Sequence, residues 1–415
     1  MRISLLPEPG AQRVYGLMTL VDTLGFGLVI TSMALYFTRV VHLGTVQVGL
    51  GLTISGLIGL VSGGPVGDLA DRHGPRTIVR LTLFVQFLST LGYLFIRDFA
   101  AFVAVSTIDM LAMNANQAAD GALLRRVGGE NATVFRSATY AISNVGISLG
   151  VVGCAVAVQI GTPNAYRALI AGNALTFFLA WLISGRLPKY APLRAPHDNP
   201  RWVALTDRAF VAYAAHNALM SMQYFVMLLP LPLWIVSRTT APRWSVGALL
   251  LLNTLIVTTC QIRVGRNVTT IRQGGSALRR AGLMFLVSCC AIGFAAGLPG
   301  WAALLLIAGA ITVHTVGELN HASATFALDF GLAPAHAQGQ YQGLAGLGIG
   351  AGAAAAPVFM IGLCLTFGTV GWAGLGAFFA GLGLTAPAIA RWAERTRPST
   401  TSQTSGSTHP APVGA

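Results

Sequence analysis

Gly67-Asp68-Leu69-Ala70-Asp71-Arg72-His73-Gly74-Pro75-Arg76 places two aspartates, two arginines and a histidine between two long apolar runs. A stretch this polar is too costly to sit in lipid, so it reads as a short connection between two helices. Gly74 can take a positive φ where the chain turns. Pro75 fits the first turn of the following helix, where its missing N–H costs nothing. Asp71 and Arg72 can pair with each other or with neighbouring helix ends. An ordinary basic turn does not require two aspartates and a glycine in this order.

The runs flanking this loop are typical of the chain. Of 415 residues, 54% are hydrophobic and 9% charged. A soluble domain carries roughly 25% charged residues, so a soluble globular enzyme is excluded. A spanning helix needs about 20 apolar residues. Twelve such spans are expected, at 14–38, 44–67, 77–96, 99–124, 134–160, 165–186, 207–236, 245–264, 278–297, 300–328, 336–364 and 367–391. The Pro-rich, charged stretch GRLPKYAPLRAPHDNPRW at 185–202 divides them six and six. The expected fold is an all-α integral membrane protein of twelve transmembrane helices in two six-helix bundles. The bundles cover 1–186 and 207–395, joined by a linker at 187–206 and followed by a Ser/Thr/Pro-rich disordered tail at 396–415. The N-terminal stretch lacks a short apolar core with a small-residue cleavage site, so the first run is expected to be retained. Cys154, Cys260, Cys289, Cys290 and Cys364 sit in apolar segments without metal spacing and read as small hydrophobes, not disulfide partners.

The net charge of +13 does not indicate nucleic acid, because the bases are scattered between apolar runs. With the N-terminus inside, only Arg39, Arg97, Arg167, Arg238 and Arg243 fall outside, and the other 21 of 26 basic residues fall inside. That bias predicts a multi-pass protein of the cytoplasmic membrane with both termini cytoplasmic.

The loop at 67–76 resembles the signature between helices two and three of the major facilitator superfamily. Gly67, Leu69, Ala70, Asp71, Arg72, Gly74 and Arg76 match it, and Pro75 stands where the family usually has arginine. The resemblance implies the major facilitator fold and a gating loop in which Asp71 and an arginine relay charge to an acid at the inner end of helix four. Asp120 is positioned for that acid, and Arg72 or Arg76 would serve in place of the missing arginine. Residues 265–280 echo the loop in the second half, keeping Gly265, Arg266 and Arg280 but no acid. Asp22-Thr-Leu-Gly25-Phe-Gly27, Tyr36 to Arg39, Leu332-Ala-Pro334 and Gly339 to Gly343 are similar to drug:proton antiporter-like members. Gly146, Gly150 and Gly153 keep part of the glycine pattern of helix five in those members, without its proline.

Ionisable residues inside spans are functional candidates by default. His314, Glu318 and His321 lie at i, i+4 and i+7 on one helix face. Desolvation favours the neutral form of a carboxyl and brings proton exchange toward neutral pH, as proton coupling requires. Histidines titrate in the same range. Alternatives are a hydrogen-bonded packing cluster or a metal site, but no further His, Cys or Asp completes a ligand set. Asp22 is a second candidate for protonation or cation binding, or else a helix–helix bond. Asp109, Asn116 and Asp120 form a polar stripe expected to face a water-filled centre, with Asp109 the deeper acid. Asp207 and Asp329 read as solvated, structural span-end acids. Trp202, Trp244, Trp301 and Trp392 read as interfacial anchors.

No phosphate-binding loop, nucleophile motif or catalytic domain is present, so neither an ATP-driven motor nor an enzyme is indicated. The expected activity is secondary active transport by alternating access, in a monomer without cofactor or metal. The partners are a small-molecule substrate, protons and the bilayer. The resemblance favours proton-coupled export of a hydrophobic or cationic compound. Proton-coupled uptake of a metabolite is the runner-up, followed by a membrane-embedded enzyme or a sensor.

Overall fold

A computed structural model describes residues 10–29, 32–60, 68–70, 72–191, 203–242 and 244–397. Gly67 and Asp71 of the loop, Trp202, Arg243 and the tail beyond Arg397 lie outside the described residues. The described chain is helical with no strand: α1 (Ala11–Val29), α2 (Met33–Arg39), α3 (Thr45–Leu60), α4 (Pro75–Gly92), α5 (Phe99–Gly128), α6 (Ala132–Ile160) and α7 (Pro163–Ser184) in the first half. The second half holds α8 (Arg208–Ser221), α9 (Pro230–Arg238), α10 (Ser245–Arg266), α11 (Ile271–Phe294), α12 (Gly300–Leu332), α13 (Gln338–Thr366) and α14 (Gly368–Arg395).

Among the described residues, nine helical stretches are long and apolar enough to cross a membrane. The longest, Phe99–Ile160, is α5 and α6 joined by the 3-10 turn Gly129–Asn131, so it crosses twice. The α1–α2 pair and the shorter α3 bring the passages to twelve. The halves belong to two six-helix bundles. Large apolar side chains such as Val358 and Leu251 stay exposed around the outside, as a lipid-facing surface requires.

The helix ends follow from local chemistry. Gly74 has φ 89° and Pro75 opens α4, as the loop reading expects. Asp98, Thr162 and Asp207 cap α5, α7 and α8 by accepting backbone N–H bonds. Thr270 and Gln273 form a reciprocal capping box that starts α11 at Ile271, ahead of the expected 278. Two expected spans are not single helices. The first divides into α1 and α2. The seventh passes from α8 through the 3-10 turn Met222–Phe225 to α9, where Pro230 and Pro232 cannot continue a helical ladder.

Helices α1 and α6 approach closely at Gly27 and Gly150. A Cβ on Gly150 would strike the Leu24 carbonyl and Gly27 Cα, which are backbone atoms with no room to yield. The two halves meet through α6 against α10 and α12 and through α5 against α13. Phe330 of α12 joins the first half's apolar cluster around Tyr15, Leu123 and Phe135. At the opposite end, the cluster of Phe37, Tyr93, Phe102 and Tyr166 contains residues of the first half alone. The molecule is therefore closed at the end that carries Asp68. Trp244, Trp301 and Trp392 are exposed, as interfacial anchors should be.

Candidate functional site

Helix α12 is the most enclosed element, with almost every residue from Ala310 to Phe330 buried. A carboxylate placed there needs donors, since an unpaired buried charge is very costly. Glu318, 8% exposed, has two. Tyr140 Oη of α6 donates to Oε1 at 2.9 Å, and Asn253 Nδ2 of α10 donates to Oε2 at 2.8 Å. Asn253 also reaches Thr315 Oγ1 at 3.0 Å, which fixes its amide. Tyr140 belongs to the first half and Glu318 to the second, so this bond crosses the interface. A charge-assisted bond of this kind contributes about 1.5–3 kcal/mol.

The histidines share the helix but not the partners of Glu318. His314 Nδ1 meets Ser288 Oγ of α11 at 3.2 Å, and its ring lies against Phe285. His321 turns to α8 and the turn after it. Its Nδ1 accepts from Gln223 Nε2 at 3.3 Å and its Nε2 donates to Asn217 Oδ1 at 3.0 Å. No described bond joins either ring to the Glu318 carboxylate. The three side chains are brought to one helix but into three separate packing contacts.

A second interhalf contact lies nearer the Asp68 end. Arg136 of α6 forms a 3.2 Å ion pair with Asp329 of α12 and lies over the rings of Phe326 and Phe330. Asp329 is 2% exposed and also accepts from Tyr213 Oη at 2.9 Å. This corrects the expectation that Asp329 is solvated: four more residues of helix beyond 328 carry it into the interface rather than past a span end. Asp207 is likewise held, by Tyr341 Oη at 2.7 Å and Arg397 at 2.6 Å.

The stripe on α5 faces neighbouring helices, not an open centre. Asp109 accepts from Ser89 Oγ at 2.8 Å and Tyr93 Oη at 3.1 Å, and Asn116 accepts from Thr82 Oγ1 at 2.7 Å. Ser89 and Thr82 belong to α4 and Tyr93 to the turn that ends it, because side chains spaced seven apart follow the helix they pack on. Asp120 accepts from Tyr15 Oη of α1 at 2.6 Å. Polar residues on α5 that do line the interface include Asn114 and Gln117. With Gln342, Gly343 and Gly346 of α13 they border a crevice of about 10 Å³.

In the loop, Arg72 pairs with Asp68 at 2.8 Å. Gln340 of α13 donates to the same aspartate at 2.9 Å, tying the loop to the other half. Arg76 donates to the Ser184 and Gly185 carbonyls at 3.2 and 2.6 Å, closing the C-terminal end of α7. Neither arginine is bonded to Asp120.

A family model for the Major Facilitator Superfamily matches residues 15–357. The chain belongs to the major facilitator superfamily. It is 24% identical over 342 residues to an uncharacterized MFS-type transporter of Escherichia coli strain K12, YdeE, spanning 78% of this chain and 81% of that one. Among solved structures, a bacterial homologue of the iron transporter ferroportin in an outward-facing state superposes with TM-score 0.73 at 16% identity, over 93% of this chain and 99% of that one. The Escherichia coli fucose:proton symporter superposes with TM-score 0.64 at 13% identity, over 92% and 98%. At these identities the likeness shows the fold.

As a major facilitator the chain is a multi-pass membrane transporter, and the site lies where such a fold brings its halves together. Sequence reasoning reached Glu318 but not Tyr140 or Asn253 as its donors, nor Arg136 as the partner of Asp329. Arg136 carried one usable signal. It falls inside the fifth passage instead of before it, where a lone base needs an acid.

Proposed function

We propose that this major facilitator exports a hydrophobic or cationic small molecule in exchange for protons across the plasma membrane, as a monomer with both termini cytoplasmic. Bundles 1–186 and 207–395, linked by 187–206, rock about a central site at Glu318. Glu318 is the coupling acid. Asp22, Asp109, His314 and His321 are secondary candidates for proton exchange. Gly67, Asp71, Arg72, Gly74, Arg76 and Asp120 form the gate.

The observation that carries the reading is the Tyr140–Glu318 bond. A proton biases a two-state equilibrium only if the states differ in their affinity for it. A bond that crosses between the halves provides the difference. The ionised carboxylate accepts strongly from Tyr140 and favours the arrangement closed at the Asp68 end. The protonated carboxyl accepts weakly and releases the halves. Aromatic rings cluster around this acid, with Tyr140 against Phe326 and Tyr224 against His321, and a cationic or aromatic ligand could stack on such rings once the halves part.

The test is proton movement in energised inside-out vesicles carrying a fluorescent pH probe, with a panel of cationic, neutral and anionic compounds. Cationic or hydrophobic compounds are expected to release protons with wild type and not with Glu318→Gln. Equal release by both proteins would remove Glu318 from the coupling step. Proton uptake in place of release would favour symport.

A further inference from the structure

On the outer side of the first half, α4 and α7 border a groove of about 460 Å³ lined by Arg76, Arg80, Leu81, Phe84, Trp181 and Lys189. It lies away from the interface between the halves and shares no residue with the Glu318 site. Its polarity is graded. Arg76, Arg80 and Phe84 follow one another at i, i+4 and i+8 along one face of α4, so the groove runs about 12 Å from a charged rim to an aromatic floor. Lys189 adds a third cation at the rim. Deeper in, Leu81 is 55% and Phe84 36% exposed.

The cations are concentrated. Among the described residues, no carboxylate forms an ion pair with Arg76, Arg80 or Lys189. Arg76 and Arg80 stand one turn apart on the same face of α4. The Arg80 guanidinium carbon lies over the Trp181 ring at 5.0 Å, and that ring packs against Phe84 and Phe178. A guanidinium placed over an aromatic ring can still offer N–H groups to an oxyanion. Three cations kept together with no ion-paired carboxylate among the described residues, above an exposed apolar wall at a helix end, match an amphiphile with an anionic head.

We propose that this groove binds an anionic phospholipid of the leaflet at the Asp68 end, with its phosphate on Arg80 and Lys189 and an acyl chain along Leu81 and Phe84. Because Arg76 also closes the end of α7 next to the loop, a bound headgroup would steady the base of α4, on which the loop is mounted. Juxtamembrane cations attract anionic headgroups by about 1 kcal/mol each.

Native mass spectrometry of the detergent-purified protein, supplied with phosphatidylglycerol, cardiolipin or phosphatidylethanolamine, tests the site. Wild type is expected to retain the anionic lipids over phosphatidylethanolamine. Arg80→Gln and Lys189→Gln should each weaken retention roughly fivefold, which is the energy of one surface cation. Arg80→Lys keeps the charge and should retain most of the lipid, which shows that loss in Arg80→Gln is not misfolding. Arg263→Gln/Arg266→Gln, at the matching level of the second half, should leave retention unchanged. Equal retention by Arg80→Gln, an equal loss in the second-half control, or no preference over phosphatidylethanolamine would each overturn the proposal. So would displacement of the lipid by millimolar inorganic phosphate, which would make the groove a free-anion site.

Discussion

Arg136 and Asp329, 193 positions apart in sequence, form a 3.2 Å ion pair that joins the two halves of the molecule beneath a pair of phenylalanine rings. The pair spans the interface that is closed at the Asp68 end, so it is expected to act as a latch on that state. Removing one partner of a buried pair leaves the other charge stranded, at a cost of about 3–5 kcal/mol.

Asp329→Asn should therefore shift the molecule toward opening at that end. Gly121 and Gln342 sit in contact across the interface. A Gly121→Cys/Gln342→Cys pair in a background free of the five native cysteines should cross-link readily with Asp329 present. With Asn there, the cross-linking rate should fall several-fold. An unchanged rate would show that the pair does not hold the halves.

Tyr140 and Asn253 serve the same carboxylate from different bodies, and their loss should separate two effects. Asn253→Ala strips a donor supplied within the second half, and an acceptor left without a partner costs about 1–3 kcal/mol. Its main effect should be a lower melting temperature. Tyr140→Phe removes only the bond across the interface, so transport should slow at least several-fold with little change in melting. Matching thermal losses in the two variants would argue against an interface role for Tyr140.

Asp207 gives a pH dependence whose direction is fixed. Burial alone would raise its carboxyl, but the bonds from Arg397, Tyr341 and the Phe210 N–H outweigh burial and hold it below its usual range. A group depressed in this way contributes stability above its unfolded value of about 3.9 and loses it as pH falls through the folded value. The thermal advantage of wild type over Asp207→Asn should thus be present at neutral pH and shrink below about pH 4. An advantage that persists at pH 3 would assign the effect to the cap on α8 alone.

Gly150 tests the seam between α1 and α6. Gly150→Val has only backbone to displace, and overpacking of this kind costs about 1–3 kcal/mol. It should lower both yield and melting temperature. Gly381→Ala, with nothing within 4 Å of the added carbon, should be tolerated. Equal behaviour of the two would mean that α1 and α6 are free to separate.

The fold was readable because its determinants are local. Hydropathy marks a passage, and Gly74 with Pro75 marks a turn, each within a few residues. The division of the seventh passage was encoded as well, in Pro230 and Pro232, but a hydropathy window averages over it. The site was readable only in part. An acid within an apolar run is visible as Glu318, whereas the donors Tyr140 and Asn253 lie on other helices at no characteristic spacing. Helical periodicity also misleads on α12. His314, Glu318 and His321 share a face by count, yet a helix enclosed on all sides finds a different neighbour at each step. The same enclosure explains Asp329, which lies near a span end by hydropathy and inside an interface by packing.

The crevice bordered by Asn114, Gln117, Gln342, Gly343 and Gly346 has a volume of about 10 Å³, room for a single water molecule. A crevice that small does not admit a hydrated solute. While the halves hold this arrangement, α5 and α13 therefore offer a hydrated solute no way between them at this level.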